Sequence, residues 1–187
     1  GRDKDNHIIG RMLVKKQFKD ASAELEKKGV TEITDHLKTH INDYVGALRR
    51  VNRKILRFYV TSYQSYLWNE CVKSYLNSLK AKKIKSDNDL IFPELGFDVD
   101  EKDKIQQEII ETIMKTEGIM PHDFINRQIP QLTLEVQERR IFAEIENLAF
   151  SEIEDDELNL GMFKIKASFY LGKGSYATNV IRELFSE

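Results

Sequence analysis

An α+β chain is what the sequence predicts, helix-rich over most of its length and closing on a strand, a glycine-bearing turn and a helix. Three observations predict it. Apolar residues recur at helical spacing in several segments, most strongly from Arg57 to Leu79. Residues Met162 to Leu171 instead alternate with period two, which is the signature of a strand. Between that strand and a last helical stretch lies Gly172-Lys173-Gly174-Ser175, a turn by composition. With 187 residues, 41% of them apolar, including ten Phe, seven Tyr and one Trp, the chain has the surface to bury a core.

The polar opening, Gly1 to Gly10, reads as the middle of a loop. From Arg11 to Lys28, Met12, Leu13, Phe18, Ala21 and Leu25 keep helical spacing, and Gly29 is placed to terminate that helix. Thr34-Asp35 can cap a further helix carrying Leu37, Ile41, Tyr44, Val45 and Leu48 on one side. Next comes the strongest helix, where Tyr59, Tyr63, Leu67, Cys71, Tyr75 and Leu79 recur every fourth residue and Val60, Trp68 and Val72 widen the stripe. Lys80 to Lys85 is a basic exit, and Ser86 to Asp89 has turn chemistry.

Leu90-Ile91-Phe92-Pro93 is a short apolar piece stopped by proline. Asp100 or Asp103 starts a helix through Ile105, Ile109, Ile110 and Ile113, and Gly118 ends it. Met120 to Phe124 reads as a turn followed by a short helix, which Ile129-Pro130 breaks. Arg139 to Ile145 alternates like a strand, and Ser151 to Glu157 is an acidic loop. The face expected of the terminal strand is Phe163, Ile165, Ala167 and Phe169, with helical spacing resuming from Tyr176 to Phe185.

Charge is polarised along the chain although the net value is only −2. Residues 1–85 hold 19 Lys/Arg against 9 Asp/Glu, and residues 86–187 hold 10 against 22. A basic half can follow a polyanion, while an acidic half can be solvated surface, a fence for that polyanion, or the partner that neutralises the basic half. The run Arg49-Arg50, Arg53-Lys54, Arg57 sets cations beside aromatics, the raw materials of RNA contact. A tyrosine stripe at helical spacing also fits a plain core.

Other chemistries find little support. Cys71 is the only cysteine, which excludes an internal disulfide framework and a zinc ribbon and points to a reducing compartment, most simply the cytoplasm. It sits in the apolar stripe as an inert core thiol. His36 and His40 share a helix at a spacing of four, but no Glu follows His36 and no third ligand is evident, so no metal is expected. Neither a Walker loop, a dinucleotide fingerprint nor a Gly-x-Ser-x-Gly elbow occurs. No apolar run is long enough to cross a membrane, and no secretory leader can be read. Gly172 to Ser175, between strand and helix, could let a backbone approach an anion.

Several segments carry a family likeness. They are Asn6-His7-Ile8-Ile9-Gly10-Arg11, the helix Arg57-Phe58-Tyr59-Val60-Thr61-Ser62-Tyr63-Gln64-Ser65-Tyr66-Leu67-Trp68-Asn69, the loop Leu90 to Asp98, the element Ile129-Pro130-Gln131-Leu132, and the closing stretch Phe169 to Thr178 with Arg182-Glu183-Leu184. In this order they resemble the tRNA pseudouridine synthase D (TruD) family. There are departures: Pro93 and Gly96 are separated by Glu94-Leu95, and Val136 stands near where the family carries a glycine.

The resemblance implies an enzyme that isomerises one uridine of tRNA to pseudouridine without cofactor or metal. An Asp carboxylate attacks the flipped nucleoside, the glycosidic bond breaks, and uracil is reattached through carbon five. The family's Gly-x-Lys-Asp-x-x-Ala-x-Thr-x-Gln segment has only superficial echoes here, in Lys4-Asp5 and Lys102-Asp103. The nucleophilic Asp is therefore expected upstream of Gly1, no catalytic residue is assigned, and the chain is expected to be a C-terminal portion that is inactive alone.

By the same resemblance, residues 1–54 are part of the synthase core leading into an insert, 55–156 a helix-rich TruD-type insert domain, and 157–187 the strand–turn–helix of the core. Lys173, Gly174, Ser175, Tyr176 and Arg182 are expected as an active-site wall, with Arg182, then Lys173, as the cation that keeps the Asp ionised. Arg49, Arg50, Arg53 and Arg57 are expected to contact the tRNA backbone. The terminal strand is expected to complete a sheet whose other strands lie upstream or in another chain. Two other classes stay open: a non-catalytic RNA-binding module, and a helical protein-interaction fragment whose aromatic stripe is the interface.

Overall fold

The computed structural model describes residues 5–81, 90–100, 103–172 and 175–185. It divides into two compact units, one up to Arg139 and one from Arg140 onward.

The first unit is built around a single long helix. Its elements are α1 (Asn6–Val14), α2 (Phe18–Lys27), α3 (Thr31–Thr39), α4 (Tyr44–Arg50), α5 (Arg53–Ala81), β1 (Ile91–Pro93), α6 (Lys104–Glu117) and β2 (Glu138–Arg140), with 3-10 turns at Pro121–Phe124 and Pro130–Leu132. The fourfold stripe of α5 is core: Tyr59, Tyr63, Leu67, Cys71, Tyr75 and Leu79 are all buried, together with Leu56, Val60, Gln64, Trp68 and Val72. The stripe is therefore no open partner surface, contrary to the interaction-fragment alternative. Burial pushes the Cys71 thiol up to about 12, with the Glu70 charge adding to the effect.

Helix α1 lies along α5 and buries Ile9, Gly10, Leu13 and Val14. A β-carbon at Gly10 would collide with the Tyr59 carbonyl oxygen and stand only 2.8 Å from Tyr63 Cβ. Only glycine permits that approach. On its other flank α5 meets α6 and β1, where the Tyr75 and Phe92 rings sit edge to face at 5.5 Å. Asp103 caps α6 by accepting hydrogen bonds from the Ile105 and Gln106 amides at 2.8 and 2.9 Å, and Gly118 ends it in the left-handed region at φ 62°.

Several local readings are corrected. Residues 6–10 are helical rather than loop. The single helix expected from Arg11 to Lys28 is two, because the chain turns at Lys16 (φ 58°) so that Phe18, Ala21 and Leu25 can reach the core. The helix expected after Thr34-Asp35 is also two. Thr34 and Asp35 lie inside α3, which Val30 precedes as N-cap. Asn42 (φ 67°) breaks the pattern, Ile41 is 81% exposed instead of apolar-facing, and Asp43 caps α4 by accepting from the Gly46 amide at 2.9 Å. The strand expected over Arg139–Ile145 is interrupted at 141–144 and becomes the ends of two different strands.

The second unit contains β3 (Ile145–Phe150), β4 (Glu154–Asp155), β5 (Phe163–Lys164), β6 (Ala167–Leu171) and α7 (Ala177–Leu184). Strands β3 and β6 are antiparallel, with Ile145 opposite Leu171 and Phe150 opposite Ala167, and the register shifts between Glu146 and Ala149, where Asn147 has φ 53°. The terminal strand thus finds a partner within the chain, which corrects the expectation that its neighbours lie elsewhere. It is also shorter than its alternation suggested: Phe163-Lys164 pairs with Glu154-Asp155 from the acidic loop, and residues 165–166 lie between β5 and β6. Across that pairing Lys164 ion-pairs with Glu154, directly opposite it, and with Glu157.

Two outcomes follow from this packing. Gly10→Ala should force α1 off α5 and cost about 1–3 kcal/mol in urea unfolding, as overpacked cores do. Asp43 is held below the usual carboxylate range by its hydrogen bonds to His36 and to the Gly46 amide. Its contribution is present above about pH 4 and is lost as pH falls through the lowered value. Melting temperature should therefore drop on acidification below pH 4, with a shallower drop in Asp43→Asn.

Candidate nucleic-acid interface

The basic run straddles the α4–α5 junction. Asn52 accepts a hydrogen bond from the Lys54 amide at 2.9 Å and thereby caps the first turn of α5. The corner fans Arg49, Arg50, Arg53, Lys54 and Arg57 over one exposed region. Among the described residues none of these five pairs with a carboxylate, so neutralisation by the acidic half is not seen there.

Two of the arginines are instead fixed by main-chain carbonyls. Arg49 donates through Nε and Nη2 to the Gln128 carbonyl at 3.1 and 2.7 Å. Arg57 donates through Nη1 to the carbonyls of Gln131 and Thr133, both at 3.0 Å. The segment that offers these carbonyls is itself braced. Asn126 Oδ1 accepts from the Ile129 amide at 2.8 Å, and Thr133 Oγ1 accepts from the Asn126 amide at 3.1 Å. An open hollow of ≈ 560 Å³ lies there, lined by Arg53, Lys54, Arg57, Phe58, Thr61 and Gln131.

Deeper along α5, Gln64 Nε2 donates to the carbonyls of Leu95 and Glu135 at 2.8 and 3.0 Å, and Trp68 Nε1 donates to the Phe92 carbonyl at 3.0 Å. Arg139 lies 4.4 Å over the Trp68 ring and reaches Glu94 at 3.4 Å. Gly96 lets the loop close on residues 134–136, since a β-carbon there would stand 2.5 Å from the Glu135 carbonyl carbon. Gln64 and Gly96, both inside segments quoted for the family likeness, are thus buried supports of this face.

A second polar cluster surrounds the N-terminal helix. Tyr63 Oη donates to Glu117 at 2.9 Å, Arg11 ion-pairs with Glu117 at 3.1 Å, and His7 stacks on Tyr66 at 4.5 Å. Burial, then the Glu117 carboxylate, push the Tyr63 hydroxyl well above the usual range, so it stays a neutral donor. His36 and His40 stack on each other at 4.4 Å, and His36 is spent on Asp43 at 2.8 Å.

In the second unit, Lys173 and Gly174 lie outside the described residues. The Ser175 amide donates to the Gly172 carbonyl at 3.2 Å, and Tyr176 stands 67% exposed at the start of α7. Arg182 is exposed on the last turn of α7, about 9 Å along the axis from Tyr176 at 1.5 Å per residue. The four arginines are thus gathered on the first unit, and the described members of the expected wall stand on the second. Phe58, Gln131 and the Gln128 carbonyl carried no assignment from sequence. The available signal was a large aromatic one position off the buried stripe.

A helical unit whose basic corner meets no carboxylate among the described residues, joined in sequence to a unit of short strands and one helix, defines an α+β protein. The pattern of the tRNA pseudouridine synthase D (TruD) family matches residues 26–94 and 77–184. A Methanocaldococcus jannaschii protein named "Probable tRNA pseudouridine synthase D 2" is 36% identical over 77% of this chain and 39% of its own length. A Nanoarchaeum equitans protein named "Probable tRNA pseudouridine synthase D" is 27% identical over 97% of this chain and 57% of its own. A crystal structure of a Methanosarcina mazei protein described as TruD superposes with a TM-score of 0.74 at 20% identity, covering 96% of this chain and 57% of that one. The chain belongs to the tRNA pseudouridine synthase D family, and spans about four to six tenths of the length of these relatives.

The buried amide of Gln64 gives this face a direct test. Gln64→Leu leaves the Leu95 and Glu135 carbonyls without their donor, and should cost about 1–3 kcal/mol in urea unfolding.

Proposed function

We propose that this chain is part of a tRNA pseudouridine synthase, and that its own contribution is to hold tRNA while an aspartate elsewhere in the protein performs the nucleophilic step. The family match carries this reading. In it, Arg49, Arg50, Arg53 and Arg57 neutralise tRNA phosphates, and the absence of carboxylate partners among the described residues leaves their charge available for that purpose. Lys173, Gly174, Ser175, Tyr176 and Arg182 form a wall of the pocket that receives the extruded uridine. Residues 1–54 lead from core to insert, 55–156 are the insert, and 157–187 return to the core. The reaction calls for no cofactor or metal, and its place is the cytoplasm, with the tRNA.

Neither carboxylate with a family-like neighbour sits in a segment with the family's preceding Gly or its Thr-x-Gln tail. Asp103 accepts two backbone hydrogen bonds as the cap of α6, which is a structural use. Asp5 lies at the threshold of α1. The wall's role is therefore to bind and orient. A flipped base has lost its stacking and pairing, and contacts within the pocket must offset that loss.

Full-length protein incubated with unmodified tRNA should convert a uridine to pseudouridine, read by carbodiimide-directed primer extension; residues 1–187 alone should not. Arg50→Ala/Arg53→Ala should weaken tRNA binding and reduce the slope of log K against log salt by roughly two, at about 0.9 per phosphate contact. Absence of conversion by the full-length protein would overturn the enzymatic reading. Salt-insensitive binding would overturn the basic corner.

A further inference from the structure

We propose that the hollow at the start of α5 is a docking site for one unpaired nucleotide of the RNA, with the base stacked on Phe58 and its phosphate held by Arg53 and Lys54. The proposal rests on the tRNA reading above and goes beyond it. Backbone contacts by a basic corner need no aromatic ring and no unpaired base; this site needs both.

Phe58 is the first reason. It lies off the buried stripe of α5 and is 52% exposed. Its ring is steadied edge-on by Tyr59, with centroids 5.5 Å apart and planes at 66°. It lines the hollow together with three cations and no anion. A flat apolar ring rimmed by positive charge fits a nucleobase with its phosphate.

Preorganisation is the second. The Gln131 and Thr133 carbonyls fix the Arg57 guanidinium without cancelling its charge, so a ligand need not order that side chain. Beside it, the side-chain amide of Gln131 has no hydrogen-bond partner among the described residues while lining the same hollow. That amide offers one donor face and one acceptor, the functional groups that meet a base edge. Thr61 is already committed, its hydroxyl donating to the carbonyls of Arg57 and Phe58.

Geometry then selects the form of the nucleic acid. A base in a duplex has both faces covered, so only a loop, bulge or end can stack on Phe58. A protein segment is the weaker occupant. The hollow presents a single large apolar side chain among cations, whereas protein interfaces centre on an apolar patch depleted of charge.

The test uses full-length protein and fluorescein-tagged RNA probes: a single strand of about 12 nucleotides and the same sequence closed in a duplex. A third probe carries 2-aminopurine in the single strand. Phe58→Ala should weaken single-strand binding roughly 5- to 100-fold while leaving the salt slope unchanged, and Phe58→Tyr should restore it. Duplex binding should change less than twofold. Gln131→Ala should weaken the single strand alone, and Arg53→Ala should lower the slope for both probes. Quenching of 2-aminopurine should occur with the unsubstituted protein and vanish in Phe58→Ala.

Equal single-strand affinity for Phe58→Ala and the unsubstituted protein, with Arg53→Ala still impaired, would overturn the stacking site and leave the tRNA reading standing. The stacking site is equally overturned if Phe58→Ala lowers the melting temperature of the full-length protein without affecting RNA, because a protein segment then covers the ring. Failure of the unsubstituted protein to bind either probe or tRNA removes both readings together. A DNA strand of the same sequence bound as tightly as RNA would retain the site while showing that the 2′-hydroxyl is not read.

Discussion

The separation of α1 and α5 is set at Gly10, where the backbone of one helix meets the Tyr59 carbonyl of the other with no room for a β-carbon. That contact fixes how deeply Ile9, Leu13 and Val14 enter the apolar stripe of α5. It also brings Arg11 and Lys15 within reach of Glu117, with the Lys15 ammonium donating to the Glu117 carbonyl at 2.8 Å. Helices α1, α5 and α6 are therefore tied at one place by packing and by charge. The other short helices, α2 to α4, close against this assembly with small patches of their own: Phe18, Ala21 and Leu25, then Ile33, then Ala47 and Leu48.

Polar atoms of α5 do a second job. The non-helical stretches on either side of α6 carry carbonyls that no helix satisfies, and burying them unpaired is costly. Gln64, Trp68, Arg57 and, from α4, Arg49 each reach out to such carbonyls. One long helix thus acts as both apolar axis and donor rail. The Arg57 contact also shows why a surface arginine need not be read as either ligand or ion pair. Held by neutral oxygens, it keeps its full charge while losing its freedom.

What the sequence made legible follows from the range of the forces involved. The α5 stripe, the Asp103 cap and the Gly118 stop depend on residues within a turn or two of each other, and all three stand as read. The breaks at Lys16 and Asn42 were invisible because both helical patterns continue across them in register. Left-handed backbone at a lysine and an asparagine is chosen there by the core. The pairing of β3 with β6 depends on contacts some twenty residues apart, with a bulge at Asn147 that no alternation predicts. At the interface, the cations could be found from composition, but the carbonyls that hold two of them could not, since carbonyls belong to every residue alike.

One practical consequence belongs to the lone thiol. Cys71 is fully enclosed in the stripe, and burial holds its sulfur protonated far above neutral pH. Within this chain it is chemically silent toward maleimides while the fold is intact, because only the exposed thiolate attacks them. Reporter cysteines can therefore be introduced on the surface, at the rim of the hollow or on α7, for distance spectroscopy without first stripping the native sulfur from the core.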